Sequence, residues 1–194
     1  MNRRGFLLPG GAALLLLLLL PGCSSNNQAD DPAPVYLRVD FKLLPALKNV
    51  ADGALLQFDT VEVTSVLKNP GADASRFLDV QVEDYVIEWK RVDGGTAAPK
   101  PERFGGNFVV PAGGTTTLTN YPFMSISASL LPPLDQLFPY NGGLDRETGR
   151  PEIRCEGIVT FRGRTYAGDP VNGTGYFSMT FVYIAPQART GAGN

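Results

Sequence analysis

Residues 153–162, IRCEGIVTFR, decide the fold. The odd-numbered positions carry apolar or small side chains, and charged or hydroxyl side chains fill the even-numbered positions except 158. A period of two is typical of a β-strand with one face against a core and the other in water. The stretch therefore predicts a half-buried strand late in the chain.

The same alternation recurs through much of the chain, at residues 35–42, 60–68, 78–83, 85–90 and 177–183. Threonine-rich residues 115–121 suit a further strand because β-branched side chains favour extended backbone. Turn residues separate these segments, as in Asn69-Pro70-Gly71, Gly168-Asp169-Pro170 and Asn172-Gly173. We predict a proline-rich loop over 96–106 and one short helix over 133–138 within a long connection. The pattern predicts an all-β antiparallel β-sandwich of about seven strands.

Two residues add a resemblance to this pattern. Trp89 lies on the third or fourth strand and Cys155 on the penultimate one, which resembles an immunoglobulin-like domain covering residues 35–184. The resemblance implies that Trp89 lies in the core between two sheets. The chain departs from that family because Cys155 has no partner cysteine and Ile153 stands where a corner tyrosine would be. Another Greek-key sandwich or a partly open barrel also fits, and we expect Cys155 to be a buried small hydrophobe.

The amino-terminal segment carries a different kind of signal. Arg3 and Arg4 precede an apolar run over 12–20, and Leu20-Pro21-Gly22-Cys23 follows. This segment resembles a bacterial lipoprotein signal peptide ending in a lipobox. The resemblance implies that residues 1–22 are removed, that the Cys23 thiol carries a lipid, and that the protein is held at the outer membrane. The alternative is a soluble secreted protein with an ordinary thiol at Cys23.

Composition divides the rest of the chain. Residues 23–34 are polar and proline-punctuated, so we interpret them as the lipidated cysteine and a flexible tether to a 35–184 domain. Small residues over 185–194 predict a disordered tail. Without residues 1–22 the chain has 15 basic and 19 acidic residues, a net charge of −4. We expect no nucleic-acid partner.

The chain contains no histidine, which excludes Ser-His-Asp and Cys-His relays and imidazole-bound zinc. We expect no catalytic residue, metal site or cofactor. Two sets of oxygen ligands could still carry chemistry, and each also has an ordinary structural interpretation. Calcium could use Asn141, Asp145 and Glu147, which we interpret as a solvated turn. A carboxylate pair could come from five acidic residues that we interpret as soluble surface, namely Asp59, Glu62, Glu83, Asp84 and Glu88.

These expectations define one function and one alternative. The sequence predicts a non-enzymatic, lipid-anchored cell-envelope protein whose loops 93–107 and 139–152 contact an envelope protein or a glycan. It could also be an accessory subunit of a larger envelope assembly. Residues 121–124 with Phe138 and Tyr140 either expose an aromatic patch or cover one end of the sandwich. The alternative function is a histidine-free hydrolase that cleaves envelope polysaccharide with two carboxylates.

Overall fold

The computed structural model describes residues 32–43 and 47–185. The signal segment, Cys23, most of the tether and residues 186–194 of the tail lie outside this part of the chain. Eight strands form most of the structure: β1 Val35–Leu43, β2 Leu47–Asn49, β3 Leu56–Leu67, β4 Val80–Arg91, β5 Glu102–Val110, β6 Thr115–Met124, β7 Glu152–Thr165 and β8 Pro170–Val182. One short helix, α1 Ile126–Ser129, and three 3₁₀ turns, Arg76–Leu78, Leu134–Leu137 and Pro139–Asn141, complete the elements.

The strands form two sheets. One sheet has the order β1-β3-β6 and the other the order β2-β8-β7-β4-β5. Neighbours pair antiparallel except β2 and β8, which are parallel. The prediction of an all-β sandwich is confirmed, with eight strands in the described chain. The immunoglobulin-like assignment stays a prediction, since sheet order alone does not define a family.

Aromatic side chains fill the space between the sheets. The Phe177 ring centroid lies 5.4 Å from that of Trp89 and 5.1 Å from that of Phe58. Trp89 is 8% exposed, so its predicted place in the core is confirmed. The Tyr85 hydroxyl on β4 donates a 2.6 Å hydrogen bond to the Pro122 carbonyl on β6, which ties one sheet to the other.

From residue 80 onward, the segments 78–83 and 85–90, which the sequence leaves open as one strand or two, belong to the single strand β4. The inward positions are even-numbered through Val82 and odd-numbered from Tyr85 onward. The pairing register shifts between Val82 and Asp84 on both neighbouring strands, which marks a β-bulge. A bulge adds one residue to a strand and so exchanges its two faces. The change of parity therefore came from a bulge inside one strand and not from a break between two.

The predicted turn at Asn172-Gly173 is wrong, because both residues lie inside β8. A Cβ atom on Gly173 would lie 2.4 Å from the Leu37 Cβ, and one on Gly175 would lie 2.8 Å from the Val39 Cγ1. Glycine at these positions lets β1 of one sheet lie directly against β8 of the other. The glycines serve close packing and not a reversal of the chain.

Two other predicted elements have different boundaries in the structure. The loop expected over 96–106 ends at Glu102, where β5 begins as the edge strand of its sheet. An edge strand pairs on one side only, so it tolerates the Gly105-Gly106 pair and the positive φ of Asn107. The helix expected over 133–138 is a 3₁₀ turn at Leu134–Leu137, and the α-helical turn precedes it at Ile126–Ser129.

The sandwich has two distinct ends. At the entry end, β1 and β8 begin and the connections 68–79, 111–114 and 166–169 join strands. At the loop end, β4 and β8 finish and the connections 92–101 and 125–151 gather. The two loops predicted to make contacts therefore lie at the loop end, apart from the portion of 93–107 that belongs to β5.

Candidate functional site: a buried charge cluster at the loop end

The last residue of β4 is a buried arginine. The inward parity of Tyr85, Ile87 and Trp89 continues to Arg91, whose side chain is only 1% exposed. A guanidinium taken out of water is costly unless charged and hydrogen-bonding partners surround it. Its partners therefore determine how the adjoining loops are arranged.

The first partner lies two residues further along the chain. Arg91 donates from Nε to Asp93 Oδ1 at 2.8 Å and from Nη2 to Asp93 Oδ2 at 2.9 Å. Such a paired geometry matches the planar fork of the guanidinium to the carboxylate. Asp93 also accepts from the backbone N–H groups of Arg154 at 2.8 Å and Gly95 at 3.2 Å. The pair thus also holds the start of β7 and the first turn of loop 93–101.

The second partner is 54 residues away in sequence. Arg91 Nη2 donates to Asp145 Oδ2 at 2.8 Å, and both side chains are 1% exposed. The same carboxylate oxygen accepts from the Thr148 hydroxyl at 2.7 Å and from the Thr148 backbone N–H at 3.0 Å. The Asp145 backbone N–H donates to the Arg150 carbonyl at 2.8 Å. The turn over residues 145–150 is thereby fastened to the end of β4.

A third acidic residue joins the two loops from outside. The Glu147 carboxylate accepts from the Thr96 hydroxyl at 2.7 Å and from the backbone N–H groups of Thr96 and Ala97. Arg91 Nη1 donates to the Ala97 carbonyl at 2.9 Å and lies 3.9 Å from Glu147 Oε2. We call Arg91, Asp93, Asp145 and Glu147 the Arg91 clasp. It fixes residues 93–97 against residues 145–150.

The clasp stays ionised at neutral pH. Burial alone would raise the pKa of Asp93, but hydrogen bonds from Arg91 and from the Arg154 and Gly95 amides lower it to about 2. The pKa of Asp145 is lowered too, because hydrogen bonds from Arg91 and Thr148 outweigh its burial. Burial would lower the pKa of Arg91, yet the two carboxylates raise it above its usual range. One cation therefore holds two buried anions and a more exposed one.

Cys155 lies beside the clasp on β7, paired in register with Arg91. Its side chain is fully buried, so the prediction of a buried small hydrophobe is confirmed. Burial raises the pKa of the thiol to about 12. Since the thiolate is the nucleophilic form, this cysteine is inert at neutral pH.

The calcium candidates separate in the structure. The Asp145 and Glu147 carboxylates are engaged by the clasp, and the Asn141 side-chain amide donates instead to the Asp135 carbonyl at 2.9 Å. No group of three or more acidic or cysteine side chains in the described residues could hold a metal ion. The interpretation of Asp145 as part of a solvated turn is wrong, because its side chain is buried against Arg91.

The five acidic residues considered for hydrolysis do not form one site. Asp59 and Glu62 lie on β3 of the three-stranded sheet, whereas Glu83, Asp84 and Glu88 lie on β4 of the other sheet. Most of these side chains lie at the surface, as expected. Asp84 instead pairs with two arginines and receives a 2.9 Å bond from Arg162 Nε.

The aromatic set predicted at residues 121–124, Phe138 and Tyr140 has both buried and exposed members. Phe123, Met124 and Phe138 are buried, which agrees with the interpretation that they cover one end of the sandwich. Tyr140 is 75% exposed at the loop end. Four further apolar side chains of the same connection are exposed beside it in sequence: Ile126, Leu130, Leu131 and Leu144.

Sequence reasoning missed Arg91, although a local signal was present. Inward parity from Tyr85 to Trp89 points at position 91, and an acidic residue follows at position 93. No local pattern indicates Asp145, because only the folded connection over 125–151 brings it to the end of β4.

Neither a family model nor a curated protein nor a solved structure matches this chain. Within residues 32–43 and 47–185, no helix has the length and apolar character that crossing a membrane requires.

Proposed function

We propose that this protein is a lipid-anchored protein of the bacterial cell envelope, held at the outer membrane through Cys23, whose sandwich is a non-enzymatic binding module for another envelope protein. The anchor rests on the resemblance of residues 1–23 to a lipoprotein signal. The binding role rests on the loop end of the domain.

The Arg91 clasp is the observation that carries the binding role. It joins residues 93–97 to residues 145–150 through side chains that are 1% exposed at Arg91, Asp93 and Asp145. Loops held in one geometry lose less conformational entropy when a partner binds, so preorganisation favours affinity. A sandwich that needed only stability could close this end with apolar side chains, because replacing a buried ion pair by well-packed apolar residues is often neutral or stabilising.

The chemistry of the exposed residues favours a protein partner over a glycan. Tyr140, Leu131 and Leu144 are 75%, 45% and 47% exposed at this end. Aromatic and large aliphatic side chains on a preformed surface are typical of contact sites between proteins. The partner is expected to cover residues 126–144 beside the clasp.

Site-specific crosslinking in living cells tests this binding role. A photoreactive phenylalanine at position 140 should capture one envelope protein, and the same group at position 176, a 54% exposed tyrosine midway along β8, provides the control. Asp145→Asn should reduce the adduct at position 140 because it weakens the clasp. An adduct unaffected by Asp145→Asn, or equal capture of the same protein at position 176, would contradict the proposal.

A separate experiment tests the anchor. Radioactive palmitate should label the wild-type protein, and the label should be lost in Cys23→Ala. Labelling that persists in Cys23→Ala, or an unchanged partition of that variant into the outer membrane, would refute lipidation at this residue.

The hydrolase alternative finds no support in the clasp. Asp93 and Asp145 share Arg91 as a partner and lie close enough to resemble a carboxylate pair. A glycoside hydrolase needs one of its two carboxyl groups protonated as the acid, whereas both of these groups have lowered pKa values. Both side chains are also buried, so a sugar could not reach them.

A further inference from the structure

Two exposed aromatic residues lie on neighbouring, hydrogen-bonded segments at the entry end. Phe77 is 71% exposed and Tyr166 is 55% exposed. Their segments are hydrogen-bonded: the Tyr166 amide donates to the Asp79 carbonyl at 3.0 Å, and the Ala167 amide donates to the Phe77 carbonyl at 2.9 Å. The 3₁₀ turn over Arg76–Leu78 buries none of its residues. The two rings are therefore carried by one backbone platform and face solvent.

The chain enters the domain at this same end. Ala33 is 1% exposed, and the Pro34 carbonyl accepts a 2.9 Å hydrogen bond from the Lys68 amide at the start of the connection that carries Phe77. The described chain therefore begins beside connection 68–79. The exposed apolar residues of the loop end lie at the opposite end of the strands.

The number of residues between Cys23 and Ala33 limits how far the entry end can stand from a lipid attached to Cys23. Ten residues reach at most about 36 Å when fully extended. From the first to the last of its twelve residues, β4 rises about 37 Å at the usual strand spacing. The tether is thus no longer than the domain even when fully extended, so it brings the entry end to the membrane surface more readily than the loop end.

We propose that Phe77 and Tyr166 form a membrane contact that inserts into the headgroup region of the bilayer holding the anchor. This inference rests on the proposed lipid anchor at Cys23. A lipid surface suits both rings. Tyr166 has an apolar body and a polar tip, which is typical of membrane interfaces, and the apolar ring of Phe77 suits the boundary between headgroups and acyl chains. Arg76 next to Phe77 is also exposed and can pair with a lipid phosphate. The contact orients the sandwich with its loop end away from the membrane.

Fluorescence of a labelled single cysteine tests the contact. Phe77→Cys and Tyr140→Cys form a matched pair, because the native side chains are 71% and 75% exposed at opposite ends. The full lipidated protein is labelled with a polarity-sensitive dye and reconstituted into vesicles of phosphatidylethanolamine and phosphatidylglycerol. The buried Cys155 thiol, whose pKa burial raises to about 12, does not compete for the dye.

The dye at position 77 should shift to the blue and lose its quenching by aqueous iodide once vesicles are added. The dye at position 140 should change in neither property. Position 77 remaining as quenchable as position 140, while the protein still floats with the vesicles, would overturn the membrane contact and leave the anchor standing. Protein that fails to float would overturn both. A blue shift at position 77 without vesicles would overturn the contact too, because it would indicate a second copy or a protein partner at this end.

Discussion

Replacing Arg91 by methionine tests the clasp most directly. Methionine retains much of the side-chain volume but removes the cation that Asp93 and Asp145 share. Three charge-assisted hydrogen bonds from Arg91 to these carboxylates disappear, each typically contributing about 1.5–3 kcal/mol. Apolar burial of methionine offsets part of this loss. The carboxylates also keep amide or hydroxyl donors from Arg154, Gly95 and Thr148. We expect Arg91→Met to lower the free energy of unfolding by about 3–5 kcal/mol at pH 7, the usual cost of breaking a buried ion pair.

The pH dependence of this loss gives the prediction its sharpest form. The folded-state pKa of Asp93 is lowered to about 2, so its stabilising effect is present above an unfolded pKa near 4 and is lost as the pH falls toward 2. That shift corresponds to about 2 kcal/mol in the wild type. In Arg91→Met the cation that lowers the pKa of both carboxyl groups is gone while their burial remains, so both pKa values should rise. The ionised carboxylates should then cost the variant stability as the pH rises from 4 to 7. The difference between the two proteins should therefore shrink between pH 7 and pH 4.

Urea unfolding followed by Trp89 fluorescence measures both effects, because Trp89 is the only tryptophan and is 8% exposed. Arg103→Met is the control, since Arg103 also pairs with an aspartate but its side chain is 65% exposed. Its unfolding midpoint should stay close to that of the wild type. A loss below about 1 kcal/mol for Arg91→Met at pH 7 would refute the argument, as would a difference between variant and wild type that stays constant down to pH 4.

Three further predictions concern the core. Gly157→Ala should lower the free energy of unfolding in urea by about 1–3 kcal/mol, because its Cβ would lie 2.3 Å from the closely packed Phe177 ring. The Cβ of Gly105→Ala meets nothing within 4 Å, so this control should be tolerated, and equal effects of the two substitutions would contradict the prediction. Phe58→Ala should lower the free energy of unfolding by about 3–5 kcal/mol because Phe58 is fully buried, while Phe77→Ala at an exposed position should leave the unfolding midpoint nearly unchanged. A similar loss of stability at both sites would show that burial does not determine the effect of the substitution. Cys155 should resist a thiol reagent at pH 8 in the folded protein and react at once in urea, since burial raises its pKa to about 12; rapid reaction without urea would disprove that assignment.

The strands could be predicted because their cause is local. Period-two alternation reports which side of a strand faces the core, and it placed Trp89 and Cys155 correctly in the interior. A glycine is harder to interpret from sequence because its effect depends on what lies opposite it. Asn172-Gly173 has the composition of a turn, yet Gly173 lies where Leu37 of the other sheet leaves no room for a side chain. A sequence pattern cannot supply that contact, since it joins strands far apart in the chain.

The Arg91 clasp, too, could be predicted only in part from the sequence, because its partners are far apart in the chain. Position 91 was readable as inward, because the alternation through Ile87 and Trp89 continues to it. Its buried partner Asp145 was not, because a charged residue in a glycine-rich loop is ordinarily solvated, and only the fold places it 2.8 Å from Arg91. Local alternation thus marks position 91 as inward, whereas the long-range connection decides which residue neutralises the charge there.

The positions of the two ends bear on the proposed anchor. If the anchor is at Cys23, about 36 Å of extended chain is the greatest distance between the lipid and Ala33. A partner standing further from the membrane would then have to be reached by the domain itself. The strands could supply that reach, because β4 rises about 37 Å from the entry end to Arg91. Under the proposed anchor, the sandwich would therefore carry the loops around the clasp away from the membrane by the length of its strands.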